Sequence, residues 1–149
     1  MLIRTRRFGP LEVEEDKVIT FEQGLLGFPN QQRYTLLHTT PDPVFYWLQS
    51  LDDPDLAFVV CDPRTFVLDY EVAVRTEEVA GLQLAAPGDA QVLVIVNKVD
   101  GELTGNLFGP VILNPHNRRA RQLVLTDKRY GTRHTLAPSS SRRRLAKTA

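Results

Sequence analysis

Asp52-Asp53-Pro54-Asp55 sets three carboxylates around one proline. Acid–base catalysis needs two carboxylates facing across a cleft with their pKa values pushed apart. Three of them on one proline turn read as a polar connection between strands or as an acidic recognition surface. The three histidines, His38, His116 and His134, show no HxH, HExxH or HxxxH spacing and no accompanying cysteine pair. That pattern points to neutral, hydrogen-bonded imidazoles and not to a metal site. Cys61 ends the apolar run Ala57-Phe58-Val59-Val60. A nucleophilic thiolate needs a neighbouring base and a depressed pKa, and the adjacent Asp62 works the other way. Ser50 has no Gly-x-Ser-x-Gly elbow around it. Gly24-Leu25-Leu26-Gly27-Phe28-Pro29 lacks the Lys-Ser/Thr of a phosphate loop. It reads as a loop that folds apolar side chains over a barrel end, or presents them to a partner. These residues predict a binding protein, with no catalytic residues, no metal and no cofactor.

Asn106-Leu107-Phe108-Gly109-Pro110-Val111-Ile112-Leu113-Asn114 is an apolar run with an asparagine at each end and a Gly-Pro break inside. Pro110 has no ladder N–H, which places it at a strand start, an edge or a bulge. Asn106 and Asn114 sit where strand ends would leave backbone groups unpaired, so they are expected to fasten the fold.

Charge is uneven. The chain has 18 Lys and Arg against 18 Asp and Glu, yet Arg142, Arg143, Arg144 and Lys147 stand in a terminal segment without acids. The remaining 14 bases against 18 acids leave the body at about −4. Residues 41–71 hold Asp42, Asp52, Asp53, Asp55, Asp62, Asp69 and Glu71 against Arg64 alone. Residues 111–136 are conversely basic. A small β-barrel that binds nucleic acid through this basic C-terminal region is the alternative reading. One cysteine permits no internal disulfide, which fits a reducing compartment. No apolar run is long enough to span a bilayer, and no h-region follows the basic N-terminus. The expected location is the cytoplasm.

Turn signals recur every eight to twelve residues or so, with β-branched or aromatic runs between them, which predicts an all-β fold. The predicted strands are 2–8, 11–13, 18–21, 34–38, 45–51, 57–61, 70–75, 91–99, 102–108, 111–113, 122–126 and 132–136. Val92-Leu93-Val94-Ile95-Val96 is continuously apolar and should be buried on both faces. Asp100-Gly101 should turn a type I′ hairpin. One short helix should begin at Thr76-Glu77-Glu78, where acids favour the helix dipole. The expected architecture is a compact antiparallel or mixed β-barrel-like domain over 1–137, with a disordered basic tail over 138–149.

Four blocks, at 19–28, 47–60, 69–71 and 104–114, resemble in order and spacing the flagellar assembly factor FliW family. Gln122-Leu123-Val124-Leu125 and Tyr130 extend the resemblance to residues 2–137. The departures are mild: Leu26 stands where the family usually has proline, Gly109 where it has a small residue, and Leu113 where it has isoleucine. The resemblance implies a β-barrel-like protein without catalysis, monomeric when free, that exchanges between two partners. One is newly made flagellin, with its apolar helical terminal region. The other is CsrA, the RNA-binding repressor of the flagellin message. Direct RNA binding is not implied. On this view Leu25, Leu26, Phe28 and Phe108 are the candidate flagellin anchors. Asp52, Asp53, Asp55, Asp69, Tyr70 and Glu71 are the candidate CsrA contacts, with Asn106, Pro110 and Asn114 as a structural motif.

Overall fold

Period-two burial is written directly into the short strands, as in Ile19-Thr20-Phe21, where both apolar side chains are buried and the threonine between them is not. The computed structural model describes residues 1–136. Its strands are β1 (Leu2–Thr5), β2 (Gly9–Glu12), β3 (Ile19–Phe21), β4 (Arg33–Leu37), β5 (Phe45–Ser50), β6 (Ala57–Cys61), β7 (Gln91–Val99), β8 (Glu102–Gly105), β9 (Val111–Asn114), β10 (Arg119–Gln122) and β11 (His134–Thr135). Seven of them close a ring in the order β7-β6-β5-β4-β3-β10-β9 and back to β7. Every pairing is antiparallel except β3 with β10, so the sheet is mixed.

Each strand of the ring sends at least one buried residue into the main core: Ile19 and Phe21, Tyr34, Leu48, Val60, Leu93, Val111 and Leu113, and Ala120. Closure leaves the ring no free edge, which removes a common route to aggregation. The β1–β2 hairpin forms a separate sheet. It is tied to the barrel by the Arg6 N–H donating to the Pro54 carbonyl at 2.9 Å and by Arg7 lying over the Trp47 ring at 4.1 Å.

The apolar run in β7 is covered on both sides, Leu93 facing the main core and Val94 a second cluster with Tyr70, Leu107, Tyr130 and Leu136. Asp100 and Gly101 both have positive φ, as a type I′ turn requires. After that turn, β8 and β9 run along the same edge of β7. Val96 lies opposite Gly105, but Leu93 lies opposite Val111. Between these pairs two residues of β7 are matched by five, and the Gly-Pro break marks a bulge of three extra residues in what would otherwise be one strand. The expected strand 102–108 accordingly stops at Gly105.

Two further expectations change. Residues 70–75 form no strand, because β7 has β6 on one edge and β8 and β9 on the other. The expected strand 122–126 lies earlier, as β10, and the residues after it bond to the bulge. The helix α1 is one turn (Thr76–Val79), with the Glu78 carboxylate accepting from the Arg75 N–H at 3.0 Å. No helix among the described residues is long and apolar enough to cross a membrane. The proposed tail over 138–149 lies outside the described residues.

Candidate partner-binding surfaces

The Asp52–Asp55 turn is held from beneath. Ser50 Oγ accepts from the N–H groups of Asp52 and Asp53 at 3.2 and 3.0 Å. The buried Gln49 amide donates to the Ser50 and Leu56 carbonyls at 3.0 and 3.2 Å. With the backbone satisfied, Asp52 and Asp55 stand exposed, while Asp53 is half-buried and its Oδ1 accepts from the Asp55 N–H at 2.9 Å. Asp52 pairs with Arg33 at 2.5 Å, and the hydrogen bond and the charge together hold the guanidinium above its ordinary pKa. Asp55 lies 3.8 Å from Arg6. Exposed pairs like these add little stability, but they cancel charge. Asp53 is the member of this turn without an ion pair among the described residues.

Asp69 and Glu71 lie past the other end of β6. The five residues of β6 span about 15 Å, longer than the physiological screening length of about 8 Å. The acids of 41–71 thus fall into two groups, one before β6 and one after it. Tyr70, expected among the contacts, is only 1% exposed. Its hydroxyl donates to the Leu107 carbonyl at 2.6 Å, and its ring meets Tyr130 edge-on at 4.6 Å. It is a core residue that orients the two acids on either side of it.

The Gly24–Phe28 loop separates two adjacent leucines. Gly24 takes φ +65° and Gly27 φ +87°, and the Phe28 N–H donates to the Leu25 carbonyl at 2.8 Å. This tight turn drives Leu25 into the main core, where it is 2% exposed. Leu26 is left 57% exposed and Phe28 38%. Phe28 rests edge-on against Phe58 with centroids 5.3 Å apart. Leu25 is thus corrected from anchor to core. Phe108 is half-buried against the Tyr70 cluster. Leu26 and Phe28 remain as outward apolar side chains on one loop.

The bulge is held by a dense set of hydrogen bonds. The Asn106 N–H donates to the Ile95 carbonyl at 2.9 Å, and its side-chain Oδ1 accepts from the Gly109 N–H at 3.0 Å. The Leu125 and Leu123 N–H groups donate to the Phe108 and Pro110 carbonyls at 2.9 and 2.8 Å. Asn114 Nδ2 donates to the Leu82 carbonyl at 2.8 Å, and its Oδ1 accepts from the His116 N–H at 3.0 Å. Asn114 uses both ends of its amide on internal backbone groups, and Asn106 its Oδ1.

The sequence reading missed an apolar cleft of about 410 Å³ beneath the 72–90 segment, lined by Val72, Val74, Val79, Leu84, Val92 and Ile112. Its lining comes from the irregular segment and from the outer faces of β7 and β9. Scattered valines and leucines between 72 and 84 were the available signal, without a period to interpret them. Three bases of the basic stretch are engaged elsewhere. Arg121 donates to the Glu78 carbonyl at 2.6 Å and Arg119 to the Gly81 carbonyl at 3.2 Å, fastening the 76–82 segment to β10. Arg129 bonds Asp127 at 2.7 Å and holds that carboxyl below the usual range.

Among the described residues, no cluster of three or more metal-ligating side chains is placed to hold an ion. Cys61 is wholly buried, and burial, with the nearby Asp62 charge, pushes its thiol up to about 12. Such a shift stabilises the fold below the ordinary thiol value of about 8.5, and that contribution is lost as pH rises through 12. In native protein at pH 8, iodoacetamide should leave Cys61 unmodified, and urea should expose it in step with unfolding. Rapid labelling before the circular-dichroism transition would contradict the buried assignment.

A family model described as FliW protein matches residues 2–136. The flagellar assembly factor FliW of Magnetococcus marinus is 38% identical over 152 residues, covering 100% of this chain and 93% of that protein. That of Geotalea uraniireducens is 41% identical over 147 residues, covering 96% and 88%. A crystal structure of the flagellar assembly factor FliW superposes with a TM-score of 0.83 at 32% identity, covering 91% of this chain and 96% of that one.

Proposed function

The chain belongs to the FliW family, and on that premise we propose that it is a cytoplasmic flagellar assembly factor working by partner exchange. Flagellin awaiting export occupies it. When flagellin leaves, the free protein binds CsrA and relieves repression of the flagellin message. The observation that carries this reading is the family match over essentially the whole described chain. Two ligands that compete for one scarce protein give a switch set by concentrations and affinities, without any chemical step. A rigid closed barrel suits that role.

We assign flagellin to the apolar loop through Leu26 and Phe28, and CsrA to the acidic ends through Asp53, Asp69 and Glu71. A negative surface held near CsrA disfavours bound RNA by repulsion that salt weakens. A second reading places the flagellin helix in the cleft beneath 72–90, and the cleft's concavity favours it, since helices dock in grooves. One set of titrations with purified flagellin and CsrA separates these. Leu26→Ser with Phe28→Ser should weaken flagellin at least tenfold, because each exposed apolar side chain buried on binding is worth about 1–2 kcal/mol. Val74→Asp should leave it unchanged, and the reverse pattern would move the site to the cleft. Asp53→Lys, Asp69→Lys and Glu71→Lys together should abolish release of RNA from CsrA without touching flagellin affinity. Undiminished release by the folded triple variant would remove the acidic ends from the mechanism.

A further inference from the structure

The exposed loop is held at one point by a residue that lies far away in sequence. The Leu26 N–H donates to Gln122 Oε1 at 2.9 Å. The other end of the same amide, Gln122 Nε2, donates to the Gly109 carbonyl at 2.9 Å. Gly109 is in turn fixed through its N–H on Asn106 Oδ1 at 3.0 Å. A single side chain at the end of β10 thus clamps the apolar loop to the bulge between β8 and β9.

The chemistry of the amide suits this place. It has an acceptor and a donor a fixed distance apart, and here it meets one backbone N–H and one backbone carbonyl. The loop bond is solvent-exposed, so core packing does not require it. It sits at Leu26, the most exposed of the loop's apolar residues. The turn beside it is already closed by the Leu25–Phe28 bridge. What the Gln122 bond adds is the direction in which the backbone at Leu26 faces.

We propose that Gln122 is the positioning residue of this contact surface: it holds the backbone at Leu26 so that Leu26 and Phe28 are presented together, ready-made for an apolar helix of the partner. A loop fixed before binding loses less conformational freedom on binding, and preorganisation of this kind gains affinity without any new contact. The clamp also gives a physical reason why the 19–28 and 104–114 blocks occur together in one chain: the bulge supplies the anchor for the loop. The inference rests on the assignment of flagellin to Leu26 and Phe28 made above.

The test compares Gln122→Leu, which removes both bonds, with Gln122→Glu, which keeps an acceptor for the Leu26 N–H. The full chain is used with purified flagellin. Amide hydrogen exchange at Leu26, flagellin affinity and the melting temperature are all read. In Gln122→Leu, exchange at Leu26 should rise and affinity fall about five-fold each, the equivalent of one hydrogen bond, and the melting temperature should fall by a few degrees because the Gly109 carbonyl loses its donor. Gln122→Glu should stay closer to wild type than Gln122→Leu in exchange at Leu26 and in affinity, while melting lower than wild type because its second oxygen faces the Gly109 carbonyl. If Gln122→Leu binds like wild type while Leu26→Ser with Phe28→Ser does not, positioning by Gln122 is overturned and the loop assignment stands. If neither binds more weakly, the loop assignment itself fails. Gln122→Glu as weak as Gln122→Leu would show that the acceptor is not what matters, and would also overturn the proposal.

Discussion

Replacing Gly24 by alanine should destabilise the protein by about 3 kcal/mol and lower its melting temperature by roughly 6–12 °C. Two costs add. Gly24 has φ +65°, a left-handed conformation that costs an L-residue about 1–2 kcal/mol. A Cβ there would also collide with the Phe28 carbonyl and would lie 2.7 Å from Pro29 Cα and 2.8 Å from its carbonyl oxygen. These are backbone atoms, pinned by the hydrogen bond from the Phe28 N–H to the Leu25 carbonyl, and cannot rotate aside. The turn has to open, and opening it withdraws Leu25 from the barrel core. Gly27 supplies the control. It has φ +87° with nothing within 4 Å of its would-be Cβ, so Gly27→Ala meets strain without collision and should cost only about 1–2 kcal/mol. Thermal melts of the two variants should differ in that order. Equal melting temperatures would mean that the loop is looser than its contacts require.

The same loop shows where sequence reading reaches its limit. Leu25 and Leu26 are identical and adjacent, yet one fills the core and the other faces solvent. Only the turn geometry separates them, and that geometry depends on which atoms the two glycines approach. Strand alternation, by contrast, was legible from residue type, and so was the double burial of Val92-Leu93-Val94, because local side-chain pattern controls both. A closed barrel was legible too, but not the strand pair that closes it. Closure rests on β7 meeting β9, and the register of that meeting is set by the three-residue bulge. Gly-Pro announced a break there without its length. Tyr70 illustrates a signal present but unused: in Asp69-Tyr70-Glu71 a period of two places the ring opposite both acids. The cleft beneath 72–90 was out of reach, since its walls come from segments that pattern alone does not bring together.

Tyr70→Phe should cost about 2 kcal/mol, although it removes one oxygen and no apolar surface. The hydroxyl bonds the Leu107 carbonyl at 2.6 Å in a buried setting. Without it that carbonyl has no protein partner in its place, and an unmet buried acceptor costs about 1–3 kcal/mol. Tyr130→Phe is the comparison. The Tyr130 hydroxyl accepts from the Glu71 N–H at 3.1 Å, but Glu71 is exposed, so water can replace that acceptor and the loss should stay below about 1 kcal/mol. Alkaline pH gives a second reading of the same bond. Burial first, and the neighbouring Tyr130 second, raise the Tyr70 pKa well above its usual value of about 10. The unfolded chain therefore gives up this proton at lower pH than the folded protein does. The associated stability is complete below pH 10 and is lost as pH rises beyond it. Urea titrations from pH 9 to 11 should show wild type losing stability more steeply than Tyr70→Phe. Parallel pH profiles would mean that Tyr70 ionises as freely in the folded protein as in the unfolded chain. In that case the bulge would be anchored by Asn106 and the Gly131 carbonyl, which accepts from the Leu107 N–H at 3.0 Å, and the link from the core to the Asp69 and Glu71 end would carry little energy.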